Sequence, residues 1–278
     1  METDLETYLF DLRGYLHLEN ALSDKEVGVL NACLDEIPPL APGEWYGHVQ
    51  AHTYGDDTSG LNLQQIYEAG EPFETLIDHP SWFEKVKRFV GGEGSFDYHH
   101  GPLFIDENFA NFREPGEAIG LHSGGFPPIL RNQFRYHGGR FMCGQINILV
   151  ALTDIGPGDG GTMVIPGSHK SNFKHPHFER HRMARDATVE GVEGAVEIHM
   201  AAGDALLFVD GISHGSARRS NTGTRRVVVY RYGPSWGNFR HGYQPSPELL
   251  QRLTPQRRRI VQPQQRLTRE RQASADST

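Results

Sequence analysis

Cysteine is almost absent from this chain: two residues in 278, Cys33 and Cys143, exclude a disulfide framework and a zinc site built on thiolates. No run approaches the roughly 18 apolar residues that a membrane span needs, and the opening METDLETYLFDL carries acids where a secretion signal carries bases. These absences lead to the expectation of a cytoplasmic protein in a reducing compartment, with no membrane partner. No GxxxxGK(S/T) loop is present to cradle a nucleotide triphosphate, and no GxSxG elbow to present a serine nucleophile. No repeat of 20 to 50 residues marks a solenoid or propeller. Net positive charge is lacking as well: a formal charge of -8 argues against a surface that coats polymeric nucleic acid.

What is present is an ordinary globular composition with 37% hydrophobic residues, 32 glycines and 17 prolines, enough for one large domain. Residues 1–250 read as that domain. From Gln251 onward seven arginines face two acids in a Pro/Gln/Ser-rich stretch, so 251–278 reads as a basic, solvated tail. Near the N-terminus, GYLHLENALSDKEVGVL predicts a short strand and then a helix. Ser23-x-x-Glu26 is a capping box, and Val27, Leu30 and Leu34 recur at helical spacing. A second helix is predicted from about Pro80, with Trp82, Phe83, Val86, Phe89 and Val90 on its apolar face and Gly91 and Gly92 at its end. From Phe96 the pattern turns β-like: QINILVAL, TMVIP, AVEIHMA, DALLFV and RRVVVYRY are separated by Gly, Pro, Asn and Asp, as in an antiparallel sandwich or barrel. The aperiodic segments 126–140 and 171–187 are predicted loops at one mouth of that β core.

The chain has fifteen histidines, and three interrupt β runs at turns: His122 in GLHSGGF, His169 in IPGSHK and His214 in GISHGS. A single histidine is most often structural; a constellation changes the reading. In GDALLFVDGISHGSARRSNTGTRRVVVYRY one β run delivers His214 to a turn, and a second begins eleven residues later with Arg225. Neighbouring strands would then present an imidazole suited to non-haem iron and a guanidinium whose planar fork suits a carboxylate.

GLHSGG, GDGGTMVIPGSHK and GDALLFVDGISHGS followed by Arg225, in that order, resemble the phytanoyl-CoA dioxygenase family of Fe(II)/2-oxoglutarate-dependent oxygenases, and the opening GYLHLENALSDKEV resembles its first strand and helix. The resemblance runs from about Gly14 to Tyr232. It implies a mainly β fold with flanking helices, a double-stranded β-helix or cupin-like jelly roll. It further implies Fe(II) held by His122 and His214, 2-oxoglutarate held by Arg225 with Ser216 beside it, and O2 as co-reactant. His169 falls in the PGSH turn, a structural position.

The departure is at Gly124. The family's triad is His-x-Asp/Glu with a distant His, and here the string is His122-Ser123-Gly124, with Gly125 and Phe126 next. An iron held by two imidazoles has lost one anionic donor. The Fe(II)/2-oxoglutarate halogenases resemble this chain in that replacement, with chloride bound where the carboxylate would sit. On that resemblance Gly124 leaves space for chloride, and the reaction is chlorination of an unactivated C–H bond of a free small molecule. The overall pattern is similar to the nucleotide halogenases of chlorinated nucleoside antibiotic pathways, which implies the sugar of a (deoxy)adenosine monophosphate as target. Lys174, His177 and Arg180, in the cationic loop NFKHPHFERHRMAR, are the candidate phosphate contacts; the alternative is a solvated loop. Phe126, Phe134, Tyr136 and Phe141 are either base-stacking groups or loop anchors. Two further readings stay open: a hydroxylase of the same family, and a non-catalytic binding protein on the same scaffold.

Overall fold

A computed structural model describes residues 4–54, 59–91, 101–235 and 244–262. The predicted positions Gly92 and Phe96, and the tail from 263 onward, lie outside the described residues.

The fold is mainly β with flanking helices, the jelly-roll class predicted from the sequence. An eight-stranded antiparallel sheet runs in the order Tyr15–Leu18, Ala205–Val209, Ile146–Ala151, Arg225–Pro234, Leu103–Arg113, Leu61–Gln64, Val49–His52 and Trp45–Tyr46. A smaller sheet has Thr162–Val164 between Val196–Ile198 and His214–Ser216. The two longest strands pair at the centre of the large sheet, from Arg225 opposite Arg113 to Pro234 opposite Leu103, with a bulge between Arg231 and Tyr232.

Period-two alternation splits the central strand between two environments. Val228, Tyr230 and Tyr232 are fully buried with the apolar core. The Tyr230 hydroxyl donates to the Phe73 carbonyl at 2.7 Å, and the Tyr232 hydroxyl accepts from the Trp82 indole at 3.3 Å. Buried hydroxyls thereby keep their hydrogen bonds. The alternate residues Arg225, Val227, Val229 and Arg231 line a cavity on the other face.

The helices follow their sequence signals. Asp24–Asp35 is capped by Ser23, whose hydroxyl accepts from the Glu26 amide while the Glu26 carboxylate accepts from the Ser23 amide at 2.8 Å. Its inward residues are Val27, Leu30 and Leu34. The second predicted helix spans Phe83–Val90 with Trp82 as its N-cap, and Phe89 stacks on Phe10 at 3.7 Å. Removing such a buried ring typically costs ~3–5 kcal/mol. An additional helix, Leu5–Arg13, is capped by Asp4 and closes at Gly14, where φ is 84°. A Cβ at Gly14 would stand 2.5 Å from the His169 ring, so both the turn and the packing demand glycine there.

The boundary read at residue 250 moves. Helices Pro247–Arg252 and Pro255–Val261 place Leu249, Leu253, Ile260 and Val261 in the main core. Arg252 and Arg257 pair with Glu74 at 2.9 Å and Asp78 at 2.6 Å. The first part of the arginine-rich stretch is therefore folded. Among the described residues, no helix is long and apolar enough to cross a membrane.

Candidate functional site

The strand His214–Ser216 delivers its first residue against His122. The two backbones exchange both hydrogen bonds, His122 N–H to His214 O at 2.9 Å and the reverse at 3.0 Å. The rings stand 4.1 Å apart at 54°. His122 Nδ1 lies 2.9 Å from the Gly120 carbonyl and His214 Nδ1 2.7 Å from the Ile212 carbonyl. A carbonyl only accepts, so each Nδ1 carries a proton, and a ring that is neutral then has its lone pair on Nε2. Burial, then the field of His214, holds the His122 imidazole well below the usual histidine range, and it is neutral at pH 7. An imidazole that is neutral and has its Nε2 lone pair so oriented can ligate a divalent metal.

Among the described residues, no carboxylate joins them in a three-ligand cluster: no group of three or more His, Cys, Asp or Glu side chains is placed to hold a metal. Ser123 and Gly124 have φ of 59° and 120°, and a Cβ at Gly124 would lie 2.8 Å from both the Phe126 ring edge and the Ser213 hydroxyl. The space beside Gly124 is thus not the open void that removal of a side chain suggests. Phe126 and Ser213 occupy its near part.

That cavity, about 280 Å³, is bounded at one end by Arg113 and Arg225. Each sends Nη1 to the Gly160 carbonyl, at 3.3 and 3.0 Å, and each keeps a buried Nε without a hydrogen-bond partner. Burial, followed by the fields of Arg113 and Arg219, pulls the Arg225 guanidinium well below its ordinary range. Burial also pulls Arg113 down, to about 10. Neighbouring buried guanidiniums of this kind call for an anion. Across the cavity Ser216 pairs in register with Thr162; its oxygen accepts from the Ile119 amide at 2.8 Å, which leaves the hydroxyl proton to donate to a ligand. Sequence reasoning reached Arg225 and Ser216 and missed Arg113. The alternation Phe109, Asn111, Arg113 was readable, but a lone arginine ending a strand has no mark that separates it from a surface residue.

The remaining candidates lie elsewhere. Lys174, His177 and Arg180 are exposed and do not line the cavity. Lys174 pairs with Glu179 at 2.5 Å and sits over the Phe126 and Phe178 rings. Phe134 and Phe141 pack with Phe10, and Tyr136 packs on Phe141, as anchors of their loop. His169 donates or accepts at no cavity group; its Nε2 is 3.1 Å from the Asp11 carbonyl, and burial holds it down to about 4. The two predicted mouth loops contribute other residues to the cavity wall, Arg131 and Met183.

The profile described as Phytanoyl-CoA dioxygenase (PhyH) matches residues 10–227. Dioxygenase cdmD of Talaromyces verruculosus is 24% identical over 210 residues, 74% of this chain and 62% of that protein. The iron/alpha-ketoglutarate-dependent dioxygenase penM of Penicillium thymicola is 36% identical over 123 residues, 42% of this chain and 34% of that protein. These matches span less than two thirds of the relatives' own length. Among solved structures, HygX from Streptomyces hygroscopicus with nickel and 2-oxoglutarate superposes with a TM-score of 0.69 at 22% identity, covering 90% of this chain and 94% of that one. SnoK, a non-heme alpha-ketoglutarate-dependent carbocyclase from nogalamycin biosynthesis, superposes with a TM-score of 0.58 at 19% identity, covering 91% and 92%. Both share the fold.

Proposed function

Since the chain belongs to the phytanoyl-CoA dioxygenase family, we propose that it is an Fe(II)/2-oxoglutarate-dependent oxygenase of the halogenase type, in which chloride replaces the missing triad carboxylate. The observation that carries this reading is the charge of the site. The two imidazoles open on a cavity whose described lining includes four arginines and neither Asp nor Glu. Asp210 and Glu107 pair with two of these, Arg131 and Arg231, while Arg113 and Arg225 have no carboxylate partner among the described residues, which favours an added anion.

The side chains present fit the cofactors. His122 and His214 offer Nε2 to the iron. Arg225, with the unpaired Nε buried beside it, and the Ser216 hydroxyl offer donors to the distal carboxylate of 2-oxoglutarate. When bound, iron and 2-oxoglutarate supply O2 activation and the oxidising power to break an unactivated C–H bond. The protein's part is to fix the imidazole tautomers, neutralise the cosubstrate's charge and hold the target C–H against an apolar wall that includes Phe109, Leu149 and Val229. A small molecule in the size range of a (deoxy)adenosine monophosphate is the first substrate to test.

A hydroxylase is the second reading, and one observation favours it: Phe126 and Ser213 already fill the near side of Gly124. The experiment is an anaerobic titration of the Fe(II) protein with 2-oxoglutarate, with and without chloride, followed by product mass analysis. A visible charge-transfer band that shifts with chloride, and a product with the chlorine isotope pattern, are the expected results. A chloride-indifferent band with an oxygenated product overturns the halogenase in favour of the hydroxylase. No band at all overturns both in favour of a non-catalytic scaffold.

A further inference from the structure

The two remaining cavity arginines are not needed by the cosubstrate. Arg231 lies on the same strand and face as Arg225, six residues on, which is roughly 20 Å at ~3.3 Å per residue. The chain of contacts at that end is continuous. Arg231 pairs in register with Asn147, whose amide donates to Asp210 Oδ1 at 3.0 Å, and Asp210 Oδ2 accepts from Arg131 Nε at 2.8 Å. Asp210 is 2% exposed, so it serves as an internal tether rather than a ligand to solvent. It holds Arg131 by Nε, and Arg131 also lines the cavity. Arg231 pairs through Nη1 with Glu107, itself 1% exposed, at 3.2 Å, and lies over the Phe109 ring at 5.2 Å, with a buried Nε that has no hydrogen-bond partner.

A guanidinium that lines a cavity and is paired with a buried carboxylate is pre-organised for an oxyanion. Two of them, linked through Asp210 and Asn147, occur here at the end of the cavity away from Arg113 and Arg225. The polarity of the cavity along its axis is consistent with this. Thr162, the register partner of Ser216, is two residues from Gly160, whose carbonyl accepts from Arg225, while Phe208, which packs against the His214 ring at 5.0 Å, pairs in register with Asn147, the register partner of Arg231. The imidazole pair therefore stands between two cationic ends.

We infer that Arg131 and Arg231 form the substrate-recognition site for an oxyanion, so that the substrate is a small molecule carrying a phosphate or carboxylate group, held at this end while its C–H bond faces the imidazole pair. The inference rests on the proposed oxygenase reading for the identity of the cavity as the substrate site. It also moves anion recognition from the exposed Lys174, His177 and Arg180 to the cavity interior.

The test is isothermal titration of the anaerobic Fe(II), 2-oxoglutarate-loaded protein with phenyl phosphate, benzoate and, as uncharged control, benzyl alcohol. The 2-oxoglutarate charge-transfer band is recorded in the same samples, so failure of the oxygenase reading shows as a missing band and failure of this inference as missing anion binding. Saturable binding of phenyl phosphate or benzoate, tighter than benzyl alcohol by about tenfold or more, is expected. The stronger of the two anions identifies the group. Arg131→Gln and Arg231→Gln each lose that advantage with the band intact, Arg131→Lys and Arg231→Lys keep part of it, and Lys174→Ala changes nothing. Because a glutamine leaves a buried carboxylate unpaired and can unfold the chain, the lysine variants and the wild-type anion comparison decide the matter in that event. Equal affinity for the anions and the alcohol, or anion binding that survives in folded Arg131→Gln and Arg231→Gln, overturns the inference.

Discussion

Arg113 and Arg225 face each other in register across the two longest strands, and both donate to one acceptor, the Gly160 carbonyl. A single carbonyl cannot balance two buried positive charges. The pair is repulsive until an anion arrives, and Arg219, next in their surroundings, is itself satisfied by Asp159 at 3.0 Å. On the proposed assignment of this end of the cavity to 2-oxoglutarate, ligand binding and stability are coupled there.

Arg113→Met should accordingly have opposite effects on the two forms of the protein. Without ligand, loss of the like charge leaves the melting temperature unchanged or higher. The upward shift produced by 2-oxoglutarate shrinks, and the affinity falls by about tenfold or more, in the range of one charged hydrogen bond. Arg225→Met should lose a comparable amount, since its Nε is likewise buried without a hydrogen-bond partner. Thermal melts with and without 2-oxoglutarate check both; a ligand shift in Arg113→Met equal to wild type removes Arg113 from the site.

His122→Ala and His214→Ala should each abolish the 2-oxoglutarate charge-transfer band of the Fe(II) protein. Their backbone bridge is made by N–H and C=O groups that alanine retains, so the fold should survive and far-ultraviolet circular dichroism should be unchanged. A band that persists in either folded variant excludes that imidazole as a ligand.

The pattern of what could be read without coordinates follows from the range of each signal. The capping box of Ser23 and Glu26 is local, within four residues, and its helix appears as read. The β runs were legible because alternation and turn residues are local too. His122, His214 and Arg225 emerged through ordered motifs, since no spacing rule places residue 122 against residue 214. Arg131 and Arg231 were invisible because their meaning depends on Asp210, 79 positions from Arg131, and on Asn147. The stretch after residue 250 misled for another reason. Its arginines dominate the composition, yet Thr254 caps a helix whose Ile260 and Val261 turn inward while the charges stay outside.

Acid stability should report the tether of the N-terminal strand. Asp204 accepts from the Asn20 amide at 2.8 Å and the Ala201 amide at 3.0 Å and stands 2.9 Å from His17 Nε2. Burial pushes its carboxyl up, but the hydrogen bonds outweigh burial and hold it below the usual carboxylate range. A depressed carboxyl stabilises the fold above the unfolded value of about 3.9 and loses that contribution as pH falls through the folded value. Asp204→Asn should therefore be less stable than wild type by about 1–2 kcal/mol at pH 7 and converge with it as the pH falls through the depressed folded value. Urea unfolding from pH 7 down through that value measures the difference; a constant gap across that window contradicts the assignment.

Gly124 bears on the chemistry most directly, and a simple restoration of the acid does not test it. With φ at 120° and a Cβ position 2.8 Å from Phe126 and Ser213, any side chain there is strained on two counts. Gly124→Ala should lower stability by about 1–3 kcal/mol with no new ligand present. Gly124→Asp alone confounds that strain with coordination. Removing the obstructing ring separates them: Gly124→Asp with Phe126→Ala should bind Fe(II) more tightly than Phe126→Ala alone, since a third anionic donor is supplied, and its 2-oxoglutarate band should no longer respond to chloride. If the Phe126→Ala protein is itself indifferent to chloride while retaining the band, the open coordination position belongs to water and the hydroxylase reading prevails.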